Sequence, residues 1–174
     1  MNKINFTTFP VIKTERLILR SLAPEDENEI FAIRSDKEIA KYLDRPLYTK
    51  PEEAVGFINN IIEGVKKGDT FYWGISFKGN EKLVGTICLW QISEEESKAE
   101  IGFELLPEFQ KKGIMKEAVP AVIKFGFEKL NLSCIEAEVD PGNISSVKIL
   151  EKNNFKLPQE KSENSVTVIY KLIK

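Results

Sequence analysis

The segment EFQKKGIMKEAV, residues 108–119, places two lysines and a glycine directly before an apolar run with helical spacing. The first amides of a helix have no partners within it, and the aligned peptide dipoles make that end positive. Gly113 lets the chain approach a phosphate closely, and Lys111 and Lys112 add positive charge. The segment matches neither GxxxxGK[ST] nor GxGxxG. It predicts a pyrophosphate site; the alternative is two solvated lysines at an ordinary helix start.

The candidates for proton transfer are carboxylates, because the chain contains no histidine. This absence excludes Ser-His-Asp and Cys-His triads, and with two distant cysteines it leaves no credible zinc site, so no metal is expected. Glu100 and Glu104 fall on one face of the predicted strand AEIGFELL, where either is a candidate general base. The alternative is that they form the solvated face of the strand.

The elements that position these residues follow from apolar periodicity. A core-facing helix is predicted by the spacing of Val119, Val122, Ile123, Gly126, Phe127 and Leu130. Aromatic residues such as Trp90 are interpreted as core and sheet packing. The element order β-α-α-β-β-β-α-β-α-β predicts an α/β (mixed α+β) architecture with helices flanking a mixed sheet. The predicted strands are residues 14–22, 70–77, 82–90, 99–106, 133–140 and 166–173, and the predicted helices are 23–36, 50–69, 113–130 and 144–153.

Length and composition set further limits. The 174 residues predict a single domain, 1–174, and 42% hydrophobic with 30% charged residues is typical of a globular protein. A net charge of −2 disfavours nucleic acid as the main partner. The absence of a long apolar segment or a secretory signal predicts a cytoplasmic protein without membrane contact. Cys88 and Cys134 are predicted to be buried free thiols.

Four segments together resemble one known family. QKKGIM fits the Q/R-x-x-G-x-G/A acetyl-coenzyme A signature of GNAT N-acetyltransferases, with Met115 where glycine or alanine is usual. TERLILR, AEIGFELLPEFQKKG and NISSVKILEKNNF resemble the ribosomal-protein N-terminal acetyltransferase branch of that superfamily. The resemblance extends from about residue 14 to the C-terminus. It implies an acyl-CoA N-acyltransferase fold whose sheet is splayed between the strands at 99–106 and 133–140.

The resemblance also implies a donor site for acetyl-CoA. The pantetheine arm would lie in the splay and bond to amides of Leu105 and Leu106, while main-chain amides would hold the pyrophosphate. Asn143 and Ser146 match the Asn-x-x-Ser pattern that grips coenzyme A, with Ser146 as the acid for the leaving thiolate. Helix capping is the alternative for both. The residues expected at the pyrophosphate are Gln110, Lys111, Lys112, Gly113, Ile114 and Met115.

For the reaction, the resemblance implies direct attack of a primary amine on the acetyl thioester, with Glu100 in the place of the strand glutamate of histone-acetylating relatives. A protein N-terminus is the expected acceptor. A small-molecule amine (polyamine, antibiotic or amino acid) and a non-catalytic acyl-CoA sensor are alternatives. The acceptor pocket is expected to be built from the early helices, the loops around YLDRPLYTK and the segment before Val166. A monomer or homodimer is expected.

Overall fold

A seven-stranded sheet is the framework of the protein, and its strands follow one another in chain order. The computed structural model describes residues 8–158 and 166–174. All neighbouring strands are antiparallel except the fifth and sixth, which are parallel. The strands are β1 (Ile12–Lys13), β2 (Leu17–Ser21), β3 (Phe71–Phe77), β4 (Leu83–Ser93), β5 (Lys98–Leu105), β6 (Cys134–Val139) and β7 (Val168–Ile173).

The described residues form five α-helices, and short 3-10 turns at Pro24–Asp26 and Pro107–Phe109 precede two of them. Pro51 stands in the first turn of the third helix, where proline lacks only an amide that would be unpaired, and Gly68 ends that helix in the left-handed conformation. The helices are α1 (Glu27–Ser35), α2 (Lys37–Ala40), α3 (Pro51–Lys67), α4 (Ile114–Glu128) and α5 (Ile144–Lys152).

The core lies on both faces of the sheet because successive residues of β3 point in opposite directions. Trp73 is fully buried on the face covered by α4, where its ring packs edge-on against Phe125 with centroids 5.3 Å apart. Tyr72 belongs to a smaller cluster under α1 and α3, which includes Ile30 and Ile58. The helices α1 and α3 therefore cover one face near β3, while α4 covers the other.

The sheet opens between β5 and β6. These strands pair only over Lys98↔Cys134, Ala99↔Ile135 and Glu100↔Glu136. The rest of β5, as far as Leu105, pairs only with β4. We call the last pair, Glu100 and Glu136, the fork.

The predicted element order and the splay are confirmed. The structure adds two elements that the sequence did not predict, the two-residue β1 and the four-residue α2, which are too short to show a period. The interpretation of Trp90 as core packing is wrong, since 41% of that residue is exposed. Cys88 and Cys134 are free thiols as predicted, but both are half-buried.

Candidate active site

The gap beyond the fork exposes part of the backbone of β5. The Leu106 amide donates to the Val84 carbonyl at 3.0 Å, in register with the β4–β5 ladder. Alternate residues of a strand turn their N–H groups to opposite sides, so the amides of Phe103 and Leu105 point toward the gap. The expectation for Leu105 agrees with this geometry. For Leu106 it is wrong, because that amide is engaged within the sheet.

The cradle loop, residues 110–115, follows β5 after the 3-10 turn at Pro107–Phe109. The Gln110 side chain donates from Nε2 to the Leu105 carbonyl at 3.2 Å, which ties the loop to the strand. Lys111 and Gly113 both have left-handed backbones, with φ of 61° and 77°. Gly113 is the N-cap of α4 and has no side chain with which to bond the first amides of that helix. The loop therefore ends in unpaired donors at the positive end of a 15-residue helix.

The side chains of the cradle loop divide between core and solvent. Ile114 and Met115 are 1% and 3% exposed, so they anchor the first turn of α4 in the core. Lys111 and Lys112 are exposed, and the Lys112 ammonium lies 5.4 Å from the centroid of the Phe109 ring. Met115, which replaces the usual glycine or alanine, turns its side chain away from the surface. This leaves the backbone of the loop accessible.

Glu100 stands at the fork in an acidic setting. Burial, and then the charges of Glu138 and Glu136, raise the pKa of Glu100 from its ordinary value of 4.5 to about 7. Hydrogen bonds from the Trp90 indole and from the Glu138 amide oppose this shift of the Glu100 pKa. A carboxyl group with such a pKa exchanges a proton near neutral pH, which suits a general base.

Glu104, the other candidate base, is held in a partly buried ion pair. Its carboxylate accepts from Arg45 Nη2 at 2.8 Å, and both side chains are 12% exposed. Arg45 also donates to the carbonyls of Ile33 and Arg34 at the end of α1. The pair therefore links β5 to the segment YLDRPLYTK, residues 42–50, around which the acceptor pocket was expected. This engagement favours a positioning role for Glu104.

The start of α5 shows the capping arrangement. Asn143 is the N-cap, and its Oδ1 accepts from the Ser146 amide at 3.2 Å. This bond uses the carbonyl oxygen of the Asn143 side chain and the backbone of Ser146. The Asn143 amino group and the Ser146 hydroxyl are not part of it, so capping and donor binding are compatible. A Cβ atom built on Gly142 would lie 3.5 Å from the Tyr42 ring, which brings segment 42–50 against this turn.

Sequence reasoning missed Trp90 and Arg45 as site residues. Trp90 lies directly opposite Glu100 across β4 and β5. The register of the β4–β5 hairpin places Trp90 beside Glu100, so this register is the information needed to identify Trp90 as a site residue. The partnership of Arg45 with Glu104 spans 59 residues and has no local pattern. Residues 159–165, part of the expected acceptor segment before Val166, lie outside the described residues.

Two further observations apply to residues 8–158 and 166–174. None of the helices found there is long and apolar enough to cross a bilayer. The same ranges contain no group of three or more His, Cys, Asp or Glu side chains arranged to hold a metal ion.

Comparison with known proteins identifies the family. Residues 16–156 match the model of the acetyltransferase (GNAT) domain. An uncharacterised N-acetyltransferase of Bacillus subtilis (strain 168), YoaA, is 33% identical over 147 residues, which cover 84% of this chain and 83% of the relative.

Two solved structures share the fold at lower identity. One is a protein from Vibrio cholerae that is described as a ribosomal-protein-serine acetyltransferase. It has a TM-score of 0.83 and 24% sequence identity, and the match covers 97% of this chain and all of that one. The other is RimL, a ribosomal-protein alpha-N-acetyltransferase in complex with coenzyme A. It has a TM-score of 0.82 and 20% sequence identity, and the match covers 94% of this chain and 98% of RimL.

The chain belongs to the GNAT acetyltransferase family. It is an acetyl-CoA-dependent acetyltransferase, as the resemblance of its QKKGIM segment implied.

Proposed function

We propose that this enzyme acetylates the α-amine at the N-terminus of a protein. The observation that carries the proposal is the Glu100 pKa of about 7 at the fork. An α-ammonium group has a pKa of about 7.7–8.0, whereas a lysine ammonium has a pKa of about 10.4. A base with a pKa of about 7 therefore takes a proton from an α-ammonium group much more readily than from a lysine ammonium group. The descriptions of the Vibrio cholerae and RimL proteins are consistent with this acceptor.

The donor would occupy the gap and the cradle loop. The amides of Phe103 and Leu105 are free to bond the pantetheine arm along the open side of β5, as a neighbouring strand would. The pyrophosphate would rest on the amides from Gly113 to Met115, where the helix dipole favours an anion. The Asn143 amino group would add a contact at the start of α5. These donors are all held by elements of the core, so the site needs little rearrangement.

In the proposed reaction Glu100 takes the proton of the ammonium group, directly or through a water molecule. The neutral amine then attacks the thioester, and the proton that its nitrogen loses on forming the amide passes through the Ser146 hydroxyl to the departing thiolate. Glu104 does not exchange a proton in this scheme; with Arg45 it fixes segment 42–50 beside the acceptor. The enzyme thus relies on one carboxylate and on placement of the two substrates.

A second acceptor class, a cationic small molecule, is favoured by the charge at the fork. Glu100, Glu136 and Glu138 lie on one face of the sheet, and their negative potential attracts a cation. Lys98 and Lys171 pair with Glu136 and reduce that potential. This reduction is why we place the protein N-terminus first.

The test is thiol release from acetyl-CoA across a panel of acceptors. Peptides with free N-termini, the same peptides blocked at the α-amine but carrying lysine, and polyamines are compared. Release with the free peptides alone supports the proposal, and release with polyamines alone supports the second class. Tight acetyl-CoA binding without release for any amine would overturn both and indicate a sensor.

The donor site is tested by two variants at neighbouring positions. Gly113→Pro cannot adopt a φ of 77° and is expected to weaken coenzyme A binding strongly. Lys111→Ala removes one exposed charge and is expected to have a smaller effect. Titration calorimetry with coenzyme A gives both Kd values. Equal effects, or none for Gly113→Pro, would contradict the placement of the pyrophosphate.

The proposal includes a single domain spanning residues 1–174, a cytoplasmic location, and a monomer or homodimer as the active form. Light scattering coupled to size-exclusion chromatography determines the oligomeric state.

A further inference from the structure

Glu117 lies in the first turn of the helix that follows the cradle loop, beside the proposed pyrophosphate site. Its Oε1 accepts from the Arg16 amide at 2.7 Å and from the Thr14 hydroxyl, and its Oε2 accepts from Arg16 Nε at 2.8 Å. Burial alone would raise the pKa of Glu117, but these hydrogen bonds and the Arg16 charge lower it to about 2. Glu117 is therefore ionised at any physiological pH.

The same arginine also contacts the cradle loop. Arg16 Nη1 donates to the Lys112 carbonyl at 3.2 Å. A Cβ atom built on Gly113 would lie 3.5 Å from Arg16 Nη2. One guanidinium thus joins the turn between β1 and β2 to both the loop and the first turn of α4, across 101 residues of sequence.

The charges make this arrangement relevant to the donor. A carboxylate in the first turn of α4 stabilises the helix in the free protein. Beside a bound pyrophosphate, the same negative charge would be repulsive. Arg16 offsets that charge at a distance of 2.8 Å, and it also fixes the carbonyl that precedes Gly113. The dipole and the unpaired amides of α4 are then left to act on the phosphate.

We infer that Arg16 is a positioning residue for the donor: it holds the cradle loop through Lys112 and neutralises Glu117 at the start of α4. This inference rests on the proposed placement of the pyrophosphate. TERLILR, which contributed to the family resemblance, thereby acquires a specific role in donor binding. Arg16 acts through the loop and through Glu117, without contacting the reacting atoms.

The experiment is a double-mutant cycle on the full chain, with Kd for coenzyme A from calorimetry and with kcat and KM for acetyl-CoA. Arg16→Gln is expected to weaken binding about tenfold, because it frees the loop and leaves Glu117 unneutralised. Glu117→Gln is expected to weaken it by less. The double variant should bind more tightly than Arg16→Gln, since the repulsive charge is gone. The kcat at saturating acetyl-CoA should stay within about twofold of wild type.

Arg20→Gln is the matched control. Arg20 lies on β2 and makes two bonds to Asp26, at 2.9 and 2.8 Å, without contact to the cradle loop in the described structure. The Arg20→Gln variant should have a lower Tm than wild type and an unchanged Kd for coenzyme A. Arg16→Lys keeps the positive charge but has fewer hydrogen-bond donors, so its Kd for coenzyme A should lie between those of wild type and Arg16→Gln. This variant can replace Arg16→Gln in the test if Arg16→Gln folds poorly.

The outcomes separate the inference from the proposed function. If Gly113→Pro abolishes binding while Arg16→Gln and Arg16→Lys bind like wild type, the role of Arg16 is overturned and the donor site stands. A double variant that binds no better than Arg16→Gln would overturn the neutralisation of Glu117. If Gly113→Pro itself has no effect, the donor site fails, and the inference fails with it.

Discussion

Glu100 and Glu136 face each other as the last residue pair of the parallel β5–β6 ladder, and the strands separate beyond them. Two carboxylates in register repel each other, and Lys98 and Lys171 relieve this repulsion by pairing with Glu136. Burial, and then the charges of Glu138 and Glu136, raise the pKa of Glu100, whereas the hydrogen bond from Lys171 and the charges of Lys171 and Lys98 lower the pKa of Glu136. The same ladder position thus holds one stable anion and one group ready to exchange a proton.

The first prediction concerns the pH dependence of turnover. A base must be deprotonated to act, so wild-type activity should rise with pH through about 7, the pKa of Glu100. Glu100→Gln should lower kcat about 10²-fold, a typical effect for the loss of a general base. Its profile should lack the inflection near pH 7. The KM for acetyl-CoA should not change, because Glu100 lies away from the cradle loop. An inflection that persists in the variant would show that another group is the base.

The second prediction concerns the stability of the same variant. Between pH 4.5 and about 7 the folded protein binds a proton at Glu100 that the unfolded chain releases. The contribution of Glu100 to the free energy of unfolding therefore falls as pH rises across this window. Glu100→Gln removes the buried charge, so its Tm at pH 8 should exceed that of wild type by about 2–4 °C, after allowance for solvent screening.

Thermal unfolding of both proteins at pH 5 and pH 8 tests this sign. The difference in Tm should shrink at pH 5, where wild-type Glu100 is largely protonated. A variant less stable than wild type at pH 8 would mean that the Trp90 and Glu138 hydrogen bonds outweigh the desolvation of the carboxylate.

The third prediction concerns the ion pair between Arg45 and Glu104. Arg45→Met leaves a carboxylate unpaired at a site where both side chains are 12% exposed, and it should cost about 3 kcal/mol of stability. Glu104→Gln should cost less, because the amide oxygen still accepts from Arg45. Urea denaturation measures both. If Glu104 is a positioning residue, Glu104→Gln should raise the KM for the acceptor and leave the pH profile of turnover unchanged.

The fourth prediction separates capping from chemistry at the start of α5. Ser146 donates to Asn143 through its backbone, so Ser146→Ala should keep the cap and change stability by less than about 0.5 kcal/mol. Its kcat should nevertheless fall if the hydroxyl protonates the thiolate. Asn143→Ala should lose the cap, at about 1 kcal/mol. Asn143→Asp keeps the acceptor oxygen and should weaken only coenzyme A binding. An unchanged kcat in Ser146→Ala at saturating substrates would rule out the acid role.

The sequence is sufficient where the pattern is local. The α4 stripe is an example: Val119, Val122 and Gly126 are buried as their spacing predicts. Ile123, also predicted on the stripe, is only partly buried, whereas Phe125 is 8% exposed because its ring packs against Trp73. Periodicity thus identifies the helix and its general face, while the partner surface decides which residues at the margin are covered.

Long-range pairing is what the sequence does not reveal. Strand alternation correctly places Glu100 and Glu104 on one face, but the direction of the Leu106 amide depends on the register with β4. The pairing of Arg16 with Glu117 likewise depends on how the turn after β1 meets α4. These contacts are set by the assembled fold, and they determine which backbone groups and charges are free at the site.

The absence of histidine has a practical consequence for spectroscopy and calorimetry. Histidine is the side chain that ordinarily changes charge near neutrality, and this chain has none. Proton uptake or release measured at pH 7 on adding coenzyme A or an acceptor therefore has a low background. Such a measurement would report on Glu100 and on the amine of the acceptor, and the same measurement on Glu100→Gln separates the two without the need to label the protein.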